Sequence, residues 1–164
     1  MNQKRLLIQL NDAIEEGLRR GLIIVRGPFQ SGKTTLVKAL LKQRQLAIDE
    51  YYLNLNQYLI ERLNLTIKTE PKYNYQLLSQ LKARTSRLFE SYLETYLTKF
   101  FKEKHLLVID AIEILFHYPV NLPQLVYSFC RNSNIIILVI PIDASSNFTF
   151  PWNFNLAKII EISD

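Results

Sequence analysis

Residues 22–43 read LIIVRGPFQSGKTTLVKALLKQ, and the order of residue types within them decides the fold. Leu22 to Arg26 is a short apolar run rich in Ile and Val, the pattern of a strand buried on both faces. Gly27-Pro28-Phe29-Gln30-Ser31-Gly32-Lys33-Thr34 follows at once and fits glycine, four residues, glycine, lysine, Ser/Thr, the spacing of a phosphate-binding loop. From Lys33 to Gln43 the apolar residues Leu36, Val37, Leu40 and Leu41 return at helical spacing. Strand, glycine loop and helix are therefore consecutive. The loop's task sets its spacing: glycines let the backbone wrap closely around phosphates, amides converge on their oxygens, and the new helix turns its positive end to the same charges. Gly27 through Thr35 are the expected contacts to ATP, with Lys33 reaching the β- and γ-phosphates and the Thr34 hydroxyl ligating Mg2+. Gln30 adds a polar group near the phosphates, although a middle loop position tolerates many residues.

Working outward, Leu6, Leu7, Leu10, Ile14 and Leu18 mark an amphipathic first helix over residues 1–20, with Gly21 placed to stop it. Downstream, the pattern predicts a strand from Ala47 to Leu55, a short helix from Gln57 to Leu63 and a polar turn through Glu70, Pro71 and Lys72. Apolar residues at three- and four-residue steps from Leu78 to Phe100 predict one long helix from Tyr75 to about Lys104 within a helical insert over 64–104, its aromatics read as core packing. His105 to Ile109 reads as a further buried strand, Leu122 to Cys130 as a helix, and Ile135–Ile140 and Lys158–Ile162 as the last strands. Asp143 to Asn155, rich in Ser, Asn, Phe and Pro, reads as an irregular loop. Five short strands alternating with helices predict an α/β fold: a P-loop NTPase-like three-layer domain spanning 1–164, with a five-stranded, mainly parallel sheet and helices on both faces.

A phosphate loop needs an acid at the end of a neighbouring strand, and Asp110 closes the run Leu106-Leu107-Val108-Ile109. Asp110 is the expected Mg2+ partner, acting mainly through the ion's water shell. The next residue is Ala111 rather than an acid; Glu113 is the nearest carboxylate and reaches the γ-phosphate if the chain coils into a helical turn there. Arg131, the only arginine after residue 104, lies four residues ahead of a strand, at the edge opposite the phosphates. That position suits an arginine offered to a neighbouring copy, or a plain helix-end cation.

Composition narrows the classes. Nearly half of the 164 residues are apolar and about a fifth charged, as in an ordinary globular domain of one core. The longest apolar run, Ile135 to Ile142, is too short to cross a bilayer and the start lacks a signal-peptide core, so a cytoplasmic location and no membrane partner are expected. Cys130 is the single cysteine, which excludes an intrachain disulfide. Residues 1–104 carry 18 Lys/Arg against 10 Asp/Glu and residues 105–164 carry 2 against 5, an asymmetry that admits nucleic acid as a partner without a recognised binding signature.

Three stretches together, LLVIDAIEILF from Leu106 to Phe116, YLNLNQYLIERL from Tyr52 to Leu63, and Cys130-Arg131-Asn132 before IIILVI, resemble the BrxF family, the small P-loop proteins of certain BREX bacteriophage-exclusion systems. The resemblance covers most of the chain in order. It implies an ATPase serving a multi-protein phage-defence assembly, with the phosphate loop on Gly27 to Thr34, the acid-bearing strand on Asp110 and the following glutamate on Glu113. Other phage-defence proteins are then the expected partners, with a homo-oligomer compatible. Two other readings stay open: a scaffold that binds ATP without hydrolysing it, suggested by Ala111, and a minimal oligomeric ATPase that acts on nucleic acid or loads other proteins. A small-molecule kinase fits less well, because Arg131 and Lys158 are the only basic residues after 104.

Overall fold

The computed structural model of the protein describes residues 3–16, 21–142 and 157–162. Its sheet is built from β1 (Leu22–Gly27), β2 (Tyr52–Asn54), β3 (Leu106–Asp110), β4 (Ile135–Pro141) and β5 (Lys158–Glu161), in the order β2-β3-β4-β1-β5. Every pairing is parallel, so the expectation of a mainly parallel sheet is met in full.

Strand side chains alternate between two cores, as a period of two requires. Leu22, Ile24, Leu107, Ile109, Ile136, Leu138 and Ile140 point to one face, covered by α4 (Leu55–Thr69), α6 (Lys82–Phe100) and α7 (Leu122–Phe129). Ile23, Val25, Leu106, Val108, Ile137, Val139 and Ile160 point to the other, under α1 (Gln3–Glu15) and α2 (Lys33–Gln43). The result is the three-layer α/β P-loop architecture read from the sequence. The amphipathic first helix buries Leu6, Leu10 and Ala13; its expected last contact, Leu18, lies outside the described residues, as does the expected loop Asp143 to Asn155.

Three expected elements take different shapes. The strand expected over 47–55 shrinks to Tyr52–Asn54, because the Ala47 carbonyl accepts bonds from the Glu50 and Tyr51 amides and coils Ile48–Tyr51 into the short helix α3. Asn54 then ends the strand by capping the next helix, its side chain accepting the Gln57 amide at 3.0 Å. That helix, α4, runs on to Thr69, so the expected boundary at residue 64 falls inside it. The long helix expected from Tyr75 is instead two, α5 (Tyr75–Gln80) and α6, broken at Leu81 (φ −99°, ψ 64°). Thr85 Oγ1 donates to the Leu78 carbonyl at 2.8 Å and satisfies an acceptor that the break exposes.

Candidate functional site

The loop hangs from the end of β1, an interior strand between β4 and β5, where strand ends in such folds gather ligands. Its two glycines are required for different reasons. A Cβ on Gly27 would stand 2.6 Å from the Ile162 carbonyl oxygen and 3.0 Å from Ser31 Oγ, so only glycine fits between the loop and β5. Gly32 has space around it but a left-handed backbone, φ +83°, and its carbonyl accepts the first α2 bond from Leu36 at 2.9 Å. Gln30 is also left-handed, at φ +62°. This alternation folds the loop back on itself, the Ser31 amide donating to the Pro28 carbonyl at 3.3 Å.

Lys33 opens α2 and is buried. Its ammonium donates to the Gly27 carbonyl at 2.8 Å, to the Pro28 carbonyl, and to Ser31 Oγ at 3.3 Å. Burial lowers its pKa, opposed by the negative charges of Asp110 and Glu113. A cation held among these acceptors suits an anionic ligand, whose oxygens would take over as acceptors. Phe29, Gln30, Thr34 and Thr35 face solvent around it.

Asp110 ends β3, separated from β1 by β4 alone, whose apolar Ile140 and Pro141 end between them. Across that gap Thr34 Oγ1 donates to Asp110 Oδ2 at 2.7 Å, joining two residues 76 positions apart. The same oxygen accepts the Tyr52 hydroxyl at 2.9 Å, and Oδ1 accepts the Ala111 amide at 2.7 Å. Tyr52 has its pKa raised by burial and then by the charge of Asp110, so its hydroxyl remains a donor. Lys38 lies 4.8 Å over the Tyr52 ring.

Beyond Asp110 the chain reverses through Ala111, φ +56°, into a 3₁₀ turn, Glu113–Phe116. This is the helical turn on which a role for Glu113 depends. Asn56, in the first turn of α4, locks it: its Nδ2 donates to Glu113 Oε2 at 2.8 Å, its Oδ1 accepts the Ile114 amide at 2.9 Å, and its own amide donates to the Ala111 carbonyl at 2.8 Å. Arg131 is remote from all of this. It is exposed in the turn between α7 and β4, where β4 begins, and the seven residues of β4 separate it from the loop by roughly 20 Å.

The fold thus brings the loop, Asp110 and Glu113, all expected from the sequence, to one end of the strands, and adds Tyr52 and Asn56, which are not. No local signal marks them; they matter through the register that pairs Asn54 with Asp110 and sets the start of α4 beside the acid turn.

Among the described residues no cluster of three or more His, Cys, Asp or Glu could hold a metal alone. One hydroxyl and one carboxylate, Thr34 and Asp110, are nonetheless a fitting donor set for Mg2+, which keeps waters and shares its coordination with phosphates. Among the described residues no helix is long and apolar enough to cross a membrane.

No family model matches the chain, and no curated protein matches it. Among solved structures it is similar to that of C. elegans PCH-2, with 16% sequence identity and a TM-score of 0.56 over 97% of this chain. The match spans 42% of the PCH-2 chain. The likeness is one of fold, an α/β P-loop-like domain.

Proposed function

We propose that the chain acts as one P-loop domain over 1–164 that binds ATP with Mg2+ and hydrolyses it, as the ATPase component of a BREX-type phage-defence assembly in the cytoplasm. The observation that carries the nucleotide reading is the 2.7 Å bond from Thr34 to Asp110, which joins the end of the phosphate loop to the acid of a separate strand. The defence assembly rests on the resemblance of the Tyr52, Leu106 and Cys130 stretches to the BrxF family.

In this reading the loop amides from Gly27 to Thr35 hold the phosphate oxygens, and Lys33 turns from the loop carbonyls to the β- and γ-phosphates. Thr34 and Asp110 are the residues that would hold Mg2+, which when bound would supply charge neutralisation for phosphoryl transfer. Glu113, kept in place by Asn56, orients or deprotonates the attacking water. Arg131 cannot reach the phosphates of its own chain and would serve a neighbour's; an arginine given in trans is worth about 10³–10⁵ in rate. Turnover per protomer should then rise with protein concentration and be lost in Arg131→Ala; concentration-independent turnover would leave Arg131 a surface cation.

The second reading, a nucleotide-dependent scaffold, draws on Ala111 beside Asp110 and on the bond that ties Glu113 to Asn56. Steady-state phosphate release decides between them. Mg2+-dependent release that disappears in Lys33→Ala is the expected result. ATP binding without release at any protein concentration, with or without nucleic acid, would favour the scaffold.

A further inference from the structure

The net charge of this chain is gathered at one place in the fold. Between Glu61 and Glu90 stand six basic residues, Arg62, Lys68, Lys72, Lys82, Arg84 and Arg87, and one acid, Glu70. That surplus of five equals the formal net charge of +5 of the whole chain, so the remainder, nucleotide site included, is balanced. All six cations are exposed.

Apart from Arg62, midway along α4, these residues occupy the end of the helical layer away from the nucleotide site. α4 starts beside Glu113 and ends at Thr69, about 20 Å further along at 1.5 Å per residue. α6 returns antiparallel to it: Tyr58 packs on Tyr96 at 5.1 Å, while Thr66, two turns on, shares a 2.5 Å hydrogen bond with Tyr92. α5 closes the tip between them.

Folding alone does not favour this arrangement. α6 begins with no side-chain cap and no acid in its first turn, while Lys82 and Arg84 add positive charge to the positive end of its dipole. Among the described residues only Lys72 of the six meets a carboxylate, Glu70 at 3.0 Å. Like charges concentrated without counter-charges repel one another, and a polyanion relieves that repulsion.

Aromatic faces interleave with the cations. The Tyr73 ring lies 4.8 Å from the Arg84 guanidinium and 5.1 Å from the Lys72 ammonium. Tyr75 is 59% exposed, the most of any large apolar side chain described, and its hydroxyl is tied to Asn64. Cation beside π face matches a single nucleic-acid strand, in which phosphates alternate with bases free to stack. A duplex stacks its bases on one another, and an acidic peptide offers charge without π faces.

We propose that the tip formed by residues 62–87 is a binding site for single-stranded nucleic acid, its cations on phosphates and Tyr75 beneath a base. The site is separate from the phosphate loop, and the inference stands whether or not ATP is hydrolysed.

Fluorescence anisotropy on the full chain tests it, with a labelled strand of about 20 nucleotides, the matching duplex, and polyglutamate as competitor, across about 50–200 mM salt. A Lys82→Glu/Arg84→Glu/Arg87→Glu variant is compared with Lys42→Glu/Lys99→Glu/Lys102→Glu, which changes net charge equally at exposed lysines elsewhere. The tip variant should lower the slope of log affinity against log salt by about 2, at about 0.7 per lost phosphate contact, while the control keeps the wild-type slope. Tyr75→Ala should weaken the single strand on the order of tenfold and leave the duplex unchanged. Deoxyribose and ribose strands run in parallel identify which the tip takes, binding of either supporting the site. Equal losses in both triple variants, a duplex or polyglutamate bound as tightly as the strand, or no binding by wild type would each overturn the proposal. Circular dichroism confirms folding, and glutamine at the same three positions gives the same contrast if the glutamate variant does not fold.

Discussion

The phosphate loop and the acid turn face each other across the end of β4, yet they are built by different means. In the loop most of the geometry is set within eight consecutive residues: Gly27 leaves room for Ser31 Oγ, Gly32 supplies φ +83°, and Lys33 bonds to carbonyls five and six positions back, with Ile162, beside Gly27, a distant neighbour. In the acid turn almost every side chain is held from a distance. Asp110 takes bonds from Thr34 and Tyr52, and Glu113 from Asn56, partners 57 to 76 positions away. A local motif brings its own geometry, whereas the acid turn depends on the sheet being assembled first. Damage to β2 or α4 should therefore reach the chemistry through the acids and leave the loop in place.

Within these two regions the largest expected effect on turnover separates them by function. Glu113→Gln should retain ATP binding, which the proposed function places in the loop, and lose about 10²–10⁴ in turnover. A Glu113→Gln variant that hydrolyses at the wild-type rate in phosphate-release assays removes Glu113 from the chemistry. A smaller effect tests the long-range support. Asn56→Ala leaves the Ile114 amide and the Glu113 carboxylate without their side-chain partner, which should cost about 1–3 kcal/mol in a denaturant melt. Loop-dependent ATP affinity should change little, and a large loss of affinity would mean that the regions are not separable.

The smallest effect comes from a residue in neither region. Cys130 is buried beneath β4, and burial pushes its thiol up to about 12. In the native protein it should resist alkylation at pH 8 and react fully once unfolded; rapid native labelling would contradict its burial. Because the folded thiol keeps its proton above the unfolded value of about 8.5, the unfolded state binds fewer protons there, and stability should fall as pH rises beyond that value.

The same division explains what the sequence disclosed. β1, the loop and α2 were legible, α2 with its boundaries Lys33–Gln43 and β1 to within one residue, because apolar period, glycine spacing and helix start agree within 22 residues. β3 and β4 were legible as unbroken apolar runs ended by Asp110 and Pro141. The break at Leu81 was not, since no glycine or proline marks it and its compensation comes from the Thr85 hydroxyl. The strand expected over 47–55 is longer than β2 because Ile48 and Tyr51 are strand-like, whereas Asp49 and Glu50 suit the helical turn into which local carbonyl bonding coils the segment. Tyr52 and Asn56 could be found only after β2 had been paired with β3, since register is what carries them to the acids.

The central claim is that Gly27 to Thr35 and Asp110 form one site for Mg2+ and ATP, and titration calorimetry of the full chain tests it most directly. Wild type should bind ATP with an affinity that rises on adding Mg2+, and Lys33→Ala, folded by circular dichroism, should lose tight binding. Unchanged ATP affinity in a folded Lys33→Ala variant would contradict the assignment of the site.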